Sequence, residues 1–431
     1  MDQPKNYAIL TNNTSQTQEF VAKLLGNISI DELKFLQNKR GLLFSRSEIE
    51  RFMDEEDRHD LKILTKDTEQ SLKTMSSGEQ KKALLNYLLN QEPDFLVLIN
   101  PFDNLDVATQ ESLKERLTEI SKSRSLVHFT SRLGDILPVT TDFFKLNGNE
   151  LEKYASPEAF WEANRYDDPQ FKGTIPAPIN PIKDESTELV NFTNISVSFN
   201  GRQVLKDINW SVKQGEFWQL IGPNGSGKTT MLSIITGDSH KGYGQDLTLF
   251  GQKKGSGESV WDLKQRIGYF TPSVTDKFRG YHSLENMIIS GLHDSIGLYV
   301  LPTQAERRLA GQWLKLLGMH DKKDTHFREL TSGEKRLVMT ARAMVKHPPL
   351  LILDEPTAGL DDKSAALFVA LVNKIAKESD SAILFVSHRD EPKLDPQFIF
   401  ELIPSENGST GIYTMKNKRP LQEKMKRPFK V

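Results

Sequence analysis

The amino-acid sequence repeats itself, and this repeat confines the chain to two related halves. Residues 8–26 (AILTNNTSQTQEFVAKLLG) lie over residues 219–237 (QLIGPNGSGKTTMLSIITG) without a gap. Residues 75–81 (MSSGEQK) lie over 330–336 (LTSGEKR), and 95–106 (FLVLINPFDNLD) fall on the segment that ends at Leu360-Asp361. Self-similarity of this kind marks one structural unit used twice. A chain of 431 residues has room for two domains of ordinary size. The repeat sets the first domain at residues 1–150 and the second at 189–415. Residues 151–188 between them carry Pro157, Pro169, Pro176, Pro178 and Pro181 in polar sequence. Such a stretch reads as an extended linker, too poor in apolar residues to pack a core. Residues 416–431 form a basic tail with Lys416, Lys418, Arg419, Lys424, Lys426, Arg427 and Lys430. A tail of this kind is a solvated end or a contact for phosphates of RNA or lipid.

Composition excludes several classes of function. The chain has no cysteine, so disulfides, thiolate metal sites and a cysteine nucleophile are ruled out. A formal net charge of -2 gives no overall pull toward nucleic acid. The first ten residues lack the basic and apolar regions of a secretory leader. No apolar run reaches the ~18 residues that span a bilayer. The expected location is the cytoplasm, with any contact at the inner face of the plasma membrane peripheral.

In the second domain the pattern reads as α/β with a mostly parallel sheet. Residues 195–199 alternate apolar and polar, as in a half-buried strand. Residues 217–221, 350–353 and 383–386 are continuous apolar runs, as in buried parallel strands. Leu337, Val338, Ala341, Met344 and Val345 recur at helical spacing.

Residues 222–230 carry the chemistry. Gly222, Pro223, Asn224, Gly225, Ser226, Gly227, Lys228 and Thr229 match the GxxxxGK[ST] phosphate loop, and Thr230 follows. Glycines let the backbone turn its N–H groups toward phosphate, and a helix beginning at Lys228 adds its positive end. Lys228 supplies a point charge for phosphate oxygens, and Thr229 a hydroxyl for Mg²⁺. The run LLILDE ends in Asp354 and Glu355, at the strand end where α/β sheets bind ligands. Asp354 is the expected Mg²⁺ holder and Glu355 the expected general base.

Residues 330–335 (LTSGEK) resemble the signature of ABC ATPases, Ala358-Gly359-Leu360-Asp361 their D-loop, and Ser387-His388 their switch histidine. The resemblance implies two ABC-type nucleotide-binding domains in tandem, each with a mostly parallel sheet core and a helical signature region, the first one shortened. It implies ATP and Mg²⁺ as ligands, His388 as a catalytic partner of Glu355 and Lys228, and Phe199 as the ring that stacks on adenine. A Phe at a strand end also reads as a core residue.

The two halves differ in what they keep. Thr11, Thr14, Gln16, Thr17 and Gln18 replace Gly222, Gly225, Gly227, Lys228 and Thr229. Ile99 and Asn100 stand for Asp354 and Glu355, and Arg132 stands for His388. Yet Ser77 and Gly78 of a second signature remain. In the ABC family, ATP lies between the phosphate loop of one domain and the signature of the other. The resemblance therefore implies one complete site, built from Lys228, Thr229, Asp354, Glu355 and His388 with Ser77 and Gly78 across from them. It also implies that the two domains pair within one chain.

One departure from the pattern stands out. After the strand at 267–270 the family carries a glutamine on the way to its membrane partner, and here Thr271-Pro272-Ser273 follow. Residues 244–251, 255–258, Trp261, Asp262 and 290–297 are similar to the tandem ABC ATPases that carry molybdenum-transport or photorepair labels. Two roles stay open: the ATP-binding subunit of a transporter with a separate membrane permease, or a twin-domain ATPase acting on ribosomes or nucleic acid.

Overall fold

The computed structural model describes residues 4–26, 28–66, 70–182, 186–257, 259–278, 280–389 and 391–416. The basic tail beyond Lys416, and Glu258, lie outside the described residues.

The first half is built on six strands: β1 (Asn6–Leu10), β2 (Gly41–Phe44), β3 (Phe95–Ile99), β4 (Ser125–Thr130), β5 (Asp142–Asn147) and β6 (Glu150–Lys153). They lie in the order β2-β3-β4-β1-β5-β6, all parallel except the last pair. The second half contains β7 (Glu188–Phe199), β8 (Arg202–Lys213), β9 (Phe217–Ile221), β10 (Asp246–Leu249), β11 (Gln252–Lys253), β12 (Ile267–Phe270), β13 (Leu350–Asp354), β14 (Ala382–Val386), β15 (Phe398–Ile403) and β16 (Thr410–Met415). Its main sheet runs β12-β13-β14-β9-β15-β16, again parallel with one antiparallel edge pair. Strand for strand, the order is that of the first half. The sequence repeat is thus a repeat of topology.

The central strands are buried on both faces because helices cover them, which is why they read as unbroken apolar runs. Leu350, Leu351, Ile352 and Leu353 are all 0% exposed. Each such side chain contributes roughly 1.5–3 kcal/mol relative to an exposed one. The signature helix Ser332–Met344 buries Leu337, Val338, Ala341 and Met344, the positions picked out by helical spacing.

The second half has an extra four-stranded antiparallel sheet, β11-β10-β7-β8, which no sheet of the first half matches among the described residues. It packs on the main sheet through Trp210, whose ring stacks on Phe400 of β15 at 4.8 Å.

The segment joining the halves is more ordered than its composition suggests. Strand β6 runs to Lys153, and a helix spans Pro157–Ala163, capped by Ser156 with proline in its first turn. Its Phe160 is fully buried, with its ring 5.1 Å from Phe143 and 5.2 Å from Tyr154 of the first half. Further on, Ile175 is buried in the second half's core with Phe171 packed beside it. Composition counted few apolar residues; it could not show that the few present sit where each half has room for one.

Candidate active site

Strand β9 ends at Ile221, and the chain turns through the glycine loop into the helix Lys228–Ile235. Gly222 (φ 153°), Gly225 (φ 77°) and Gly227 (φ 100°) all take positive φ. At two of them space is also closed. A Cβ on Gly222 would stand 2.8 Å from Ser226 Oγ and 3.0 Å from the Leu402 carbonyl oxygen, and one on Gly227 would stand 2.6 Å from Leu205 Cδ2. Only glycine builds this cradle. Lys228 Nζ folds back over it, donating to the Gly222 and Pro223 carbonyls at 2.6 and 3.1 Å. Burial draws the Lys228 ammonium below its ordinary range, while Glu355, Asp106 and Asp354 pull the other way. The helix start has no side-chain cap, so its N–H groups are open to a ligand. Thr229 is exposed at that start and Thr230 half-buried.

Beside the cradle, β13 ends in the acid pair. Asp354 accepts a hydrogen bond from the Tyr269 hydroxyl at 3.2 Å. Burial, then the neighbouring Glu355, push the Asp354 carboxyl up. Burial and Asp354 also raise the Tyr269 phenol, which stays a donor. Glu355 has φ 49°, a left-handed kink that turns its carboxylate toward the loop after β14. There His388 Nδ1 lies 2.7 Å from Glu355 Oε2. The other ring nitrogen, Nε2, is buried with no hydrogen-bond partner among the described residues, and Ser226 Oγ is likewise unpartnered. A buried orphan donor costs about 1–3 kcal/mol. Two such groups, beside an open cradle and a carboxylate pair, fit a phosphate ligand with its metal. Bound Mg-ATP would meet Lys228 and the loop N–H groups, with Thr229 and Asp354 on the metal.

The first half reaches the phosphate loop. Asn224 of the phosphate loop donates through its N–H to Asp106 Oδ2 at 3.3 Å and through Nδ2 to the Asn104 carbonyl at 2.9 Å. Although burial opposes it, the bonds from Thr109 and Asn224 hold the Asp106 carboxyl below the usual range. The helix Ser77–Leu89 starts next to that turn: a Cβ on Gly78 would stand 2.8 Å from Thr109 and 3.9 Å from Leu105. The capping serine is Ser76, not Ser77. Its hydroxyl accepts from the Glu79 N–H while its own backbone N–H donates to the Glu79 carboxylate at 2.7 Å, a full capping box. Ser77 is the first helical residue, half-exposed beside Gly78. In LTSGEKR the same place is held by Thr331. A doubled serine hides which of the two caps the helix.

The first half's own loop is filled from within. The Thr14 N–H and hydroxyl both bond Asn12 Oδ1, at 2.8 and 2.7 Å, and Ser15 Oγ donates to the Leu146 carbonyl at 2.5 Å. Asn100 takes φ 42°, the kink of Glu355, and its Oδ1 accepts the Ser131 N–H at 3.1 Å.

That bond corrects one pairing. By strand register, Phe129 lies beside Ile9 and Ile99 as Val386 lies beside Leu220 and Asp354. Ser131 therefore matches His388, and Arg132 matches Arg389. The match of Arg132 to His388 is off by one residue because the sequence alone has no strand pairing to fix it. Thr130 Oγ1 bonds the Arg132 carbonyl as Ser387 Oγ bonds that of Arg389, as the shift requires.

Phe199 ends β7 with 41% of its surface exposed, and Lys241 Nζ lies 5.3 Å from its ring centroid. It is a surface ring, not a core one.

Comparison with known proteins shows the family. Residues 205–358 match the ABC transporter family model. The chain is 39% identical over 331 residues to the ABC transporter ATP-binding protein ModF of Escherichia coli (strain K12), covering 74% of this chain and 67% of that protein. It is 29% identical over 332 residues to an uncharacterized ABC transporter ATP-binding protein of Schizosaccharomyces pombe, covering 74% and 66%. The chain thus spans about two thirds of each relative's length. Among solved structures, a ribosome-bound archaeal Pelota and ABCE1 assembly matches at a TM-score of 0.62 and 15% identity, over 96% of this chain and 75% of that one. The archaeal ribosome recycling factor in complex with a stalk protein matches at 0.59 and 17%, over 95% and 86%. These likenesses speak for the fold alone. With the phosphate loop, the acid pair and the ModF similarity together, the chain belongs to the ABC ATPase family of ATP-binding proteins.

Proposed function

We propose that this chain binds Mg-ATP and hydrolyses it at one composite site, formed by the phosphate loop and acid pair of the second half with the signature of the first. The observation that carries this reading is the bonding of Asn224 to Asp106 and Asn104. It sets the open cradle against the turn beside Ser77 and Gly78, while the first half's own loop is closed by its side chains.

When bound, Mg-ATP supplies the phosphoryl group to be transferred. The chain supplies the rest. Lys228 gives up its bonds to the Gly222 and Pro223 carbonyls and turns to phosphate oxygens, and the loop N–H groups hold the anion. Thr229 and Asp354 would hold the metal. Glu355 takes the proton from the attacking water, and His388 Nδ1 keeps that carboxylate oriented. His388 Nε2, the Ser77 hydroxyl and the Gly78 N–H face the ligand. Phe199 offers its ring to adenine.

The role we propose is the ATP-binding subunit of a transport system, on the strength of the ModF similarity. The partner is then a separate membrane permease, since no helix among the described residues is long and apolar enough to cross a membrane. The chain would work in the cytoplasm, at the inner face of the plasma membrane.

The test of the composite site is Ser77→Trp. The site lies between halves, so a bulky residue there stops turnover while leaving Lys228 and Glu355 in place. Turnover at the wild-type rate in a folded Ser77→Trp protein refutes the reading.

A further inference from the structure

The loop that carries His388 does not end at the histidine. The next residue, Arg389, leaves its own half altogether. Its guanidinium donates to Asp135 Oδ2 at 3.0 Å and to Asp103 Oδ1 at 3.2 Å, both in the first half. Arg389 is itself mostly buried, with 17% of its side chain exposed, and so are its two acceptors. Arginine suits this place because its rigid fork meets two carboxylates at once.

Its counterpart Arg132 makes the mirrored crossing. Nε donates to the Leu360 carbonyl at 2.6 Å and Nη2 to the Thr357 carbonyl at 3.1 Å, in the turn after Glu355. The two crossings are related by the repeat but differ in kind. Arg132 meets mainly backbone there, with Asp362 and Glu391 at 3.7 and 3.6 Å. Arg389 meets a carboxylate at Asp103, where the second half has Ala358 at the matching place. On the side that faces the open cradle the carboxylates stand within hydrogen-bond distance of the arginine, whereas on the other side they stand at 3.6 and 3.7 Å.

The connections run in a closed path. Asn224 of the phosphate loop holds Asn104 and Asp106, the same turn presents Asp103, Asp103 holds Arg389, and Arg389 follows His388, which holds Glu355. Ser387 stiffens the last step: its hydroxyl donates to the Arg389 carbonyl at 2.9 Å and accepts from Gln219 at 3.1 Å. Every member of the path lies in a turn or at a strand end, so an unbroken chain of contacts joins the first half to the His388 ring.

Resting on the composite-site reading, we propose that Arg389 is a positioning residue: through Asp103 and Asp135 it registers that the first half has closed, and it sets His388 on Glu355 only then. The degenerate half thereby governs the base of the working half as well as supplying a signature.

The experiment uses the full chain with Asp103→Asn, Arg389→Ala, the two together, and Arg389→Lys. ATP turnover, equilibrium ATP affinity and the imidazole resonance of His388 in the ligand-free protein are measured for each. Asp103→Asn keeps the size of the side chain, so it tests the contact without emptying the space the arginine fills. Each single change is expected to lower kcat about tenfold to a hundredfold, as a misplaced base does, with ATP affinity unchanged. The double change is no worse than either single, Arg389→Lys recovers part of the rate, and Asp103→Asn moves the His388 resonance before any nucleotide is added. A kcat within about twofold of wild type in Arg389→Ala overturns the proposal. So does a double variant that loses the product of the two single effects, or a His388 resonance that does not move. Lys228→Ala separates the two levels. If it still turns over, the composite site itself is wrong; if it is dead while Arg389→Ala is normal, only the positioning role falls.

Discussion

His128→Phe should remove a pH dependence that the first half carries in its core. His128 lies on β4, fully buried, and neither ring nitrogen has a hydrogen-bond partner among the described residues. Burial pulls its pKa down from the ordinary 6.5 to about 4, against a smaller pull from Asp135. The folded chain therefore keeps the ring neutral, while the unfolded chain takes up a proton as pH falls through about 6.5. The group's contribution to stability is whole above that value and drains away as pH falls toward about 4. A shift of that size is worth about 3 kcal/mol once complete, and about 2 kcal/mol of it is gone by pH about 5. Phe385 fills the matching position in the second half and is fully buried, so the fold accepts a phenyl ring there. Phe also removes two unsatisfied nitrogens, which should raise stability at neutral pH by about 1–3 kcal/mol. The readout is amide exchange in strands β3 and β4 for both proteins from pH about 7.5 to about 5. The gap in protection between variant and wild type should widen by about 2 kcal/mol over that range. A gap that stays constant within about 0.5 kcal/mol refutes the argument, because other titrating groups cancel in the comparison.

Three further changes test the site and the joining segment. Lys228→Ala should abolish ATP turnover and weaken nucleotide binding; surviving hydrolysis in a steady-state assay places the chemistry elsewhere. Glu355→Gln should bind ATP and stay closed while turnover drops by about 10²–10⁴. Its pull-down from cells in ATP should bring a membrane permease, whereas ribosomes or nucleic acid in the pellet contradict the transport role. Phe160→Ala should destabilise the first half by about 3–5 kcal/mol, as emptying a filled aromatic site does; an unchanged urea midpoint means that the helix Pro157–Ala163 merely rests on the surface.

The parts of this protein legible in its sequence are those that local patterns dictate. The glycines at 222, 225 and 227 are forced by backbone geometry, and they named the cradle. Apolar runs named β9, β13 and β14, and helical spacing named the buried face of Ser332–Met344. What stayed hidden depends on register or on contact between distant residues. The match of Arg132 to Arg389 shifts by one residue and needs the pairing of β4 with β1 and β3. The distinction between Ser76 and Ser77 needs the cap geometry. The bond of Arg389 to Asp103 joins positions 286 residues apart, and no periodicity reports it. In the joining segment, one phenylalanine and one isoleucine decide the packing, too few to register as a pattern.

The joining segment also sets how the two halves meet. It is fastened at one end by Phe160 in the first half and at the other by Ile175 in the second, with the Ile175 N–H bonded to Glu378 at 3.0 Å and His347 at 2.7 Å from the Pro176 carbonyl. A tether held at both ends turns the encounter of the halves into an intramolecular event, with a local concentration fixed by its reach. Diluting the protein should then leave the rate per chain unchanged. Cutting the tether between its two anchors should make that rate depend on how much of each half is in the tube.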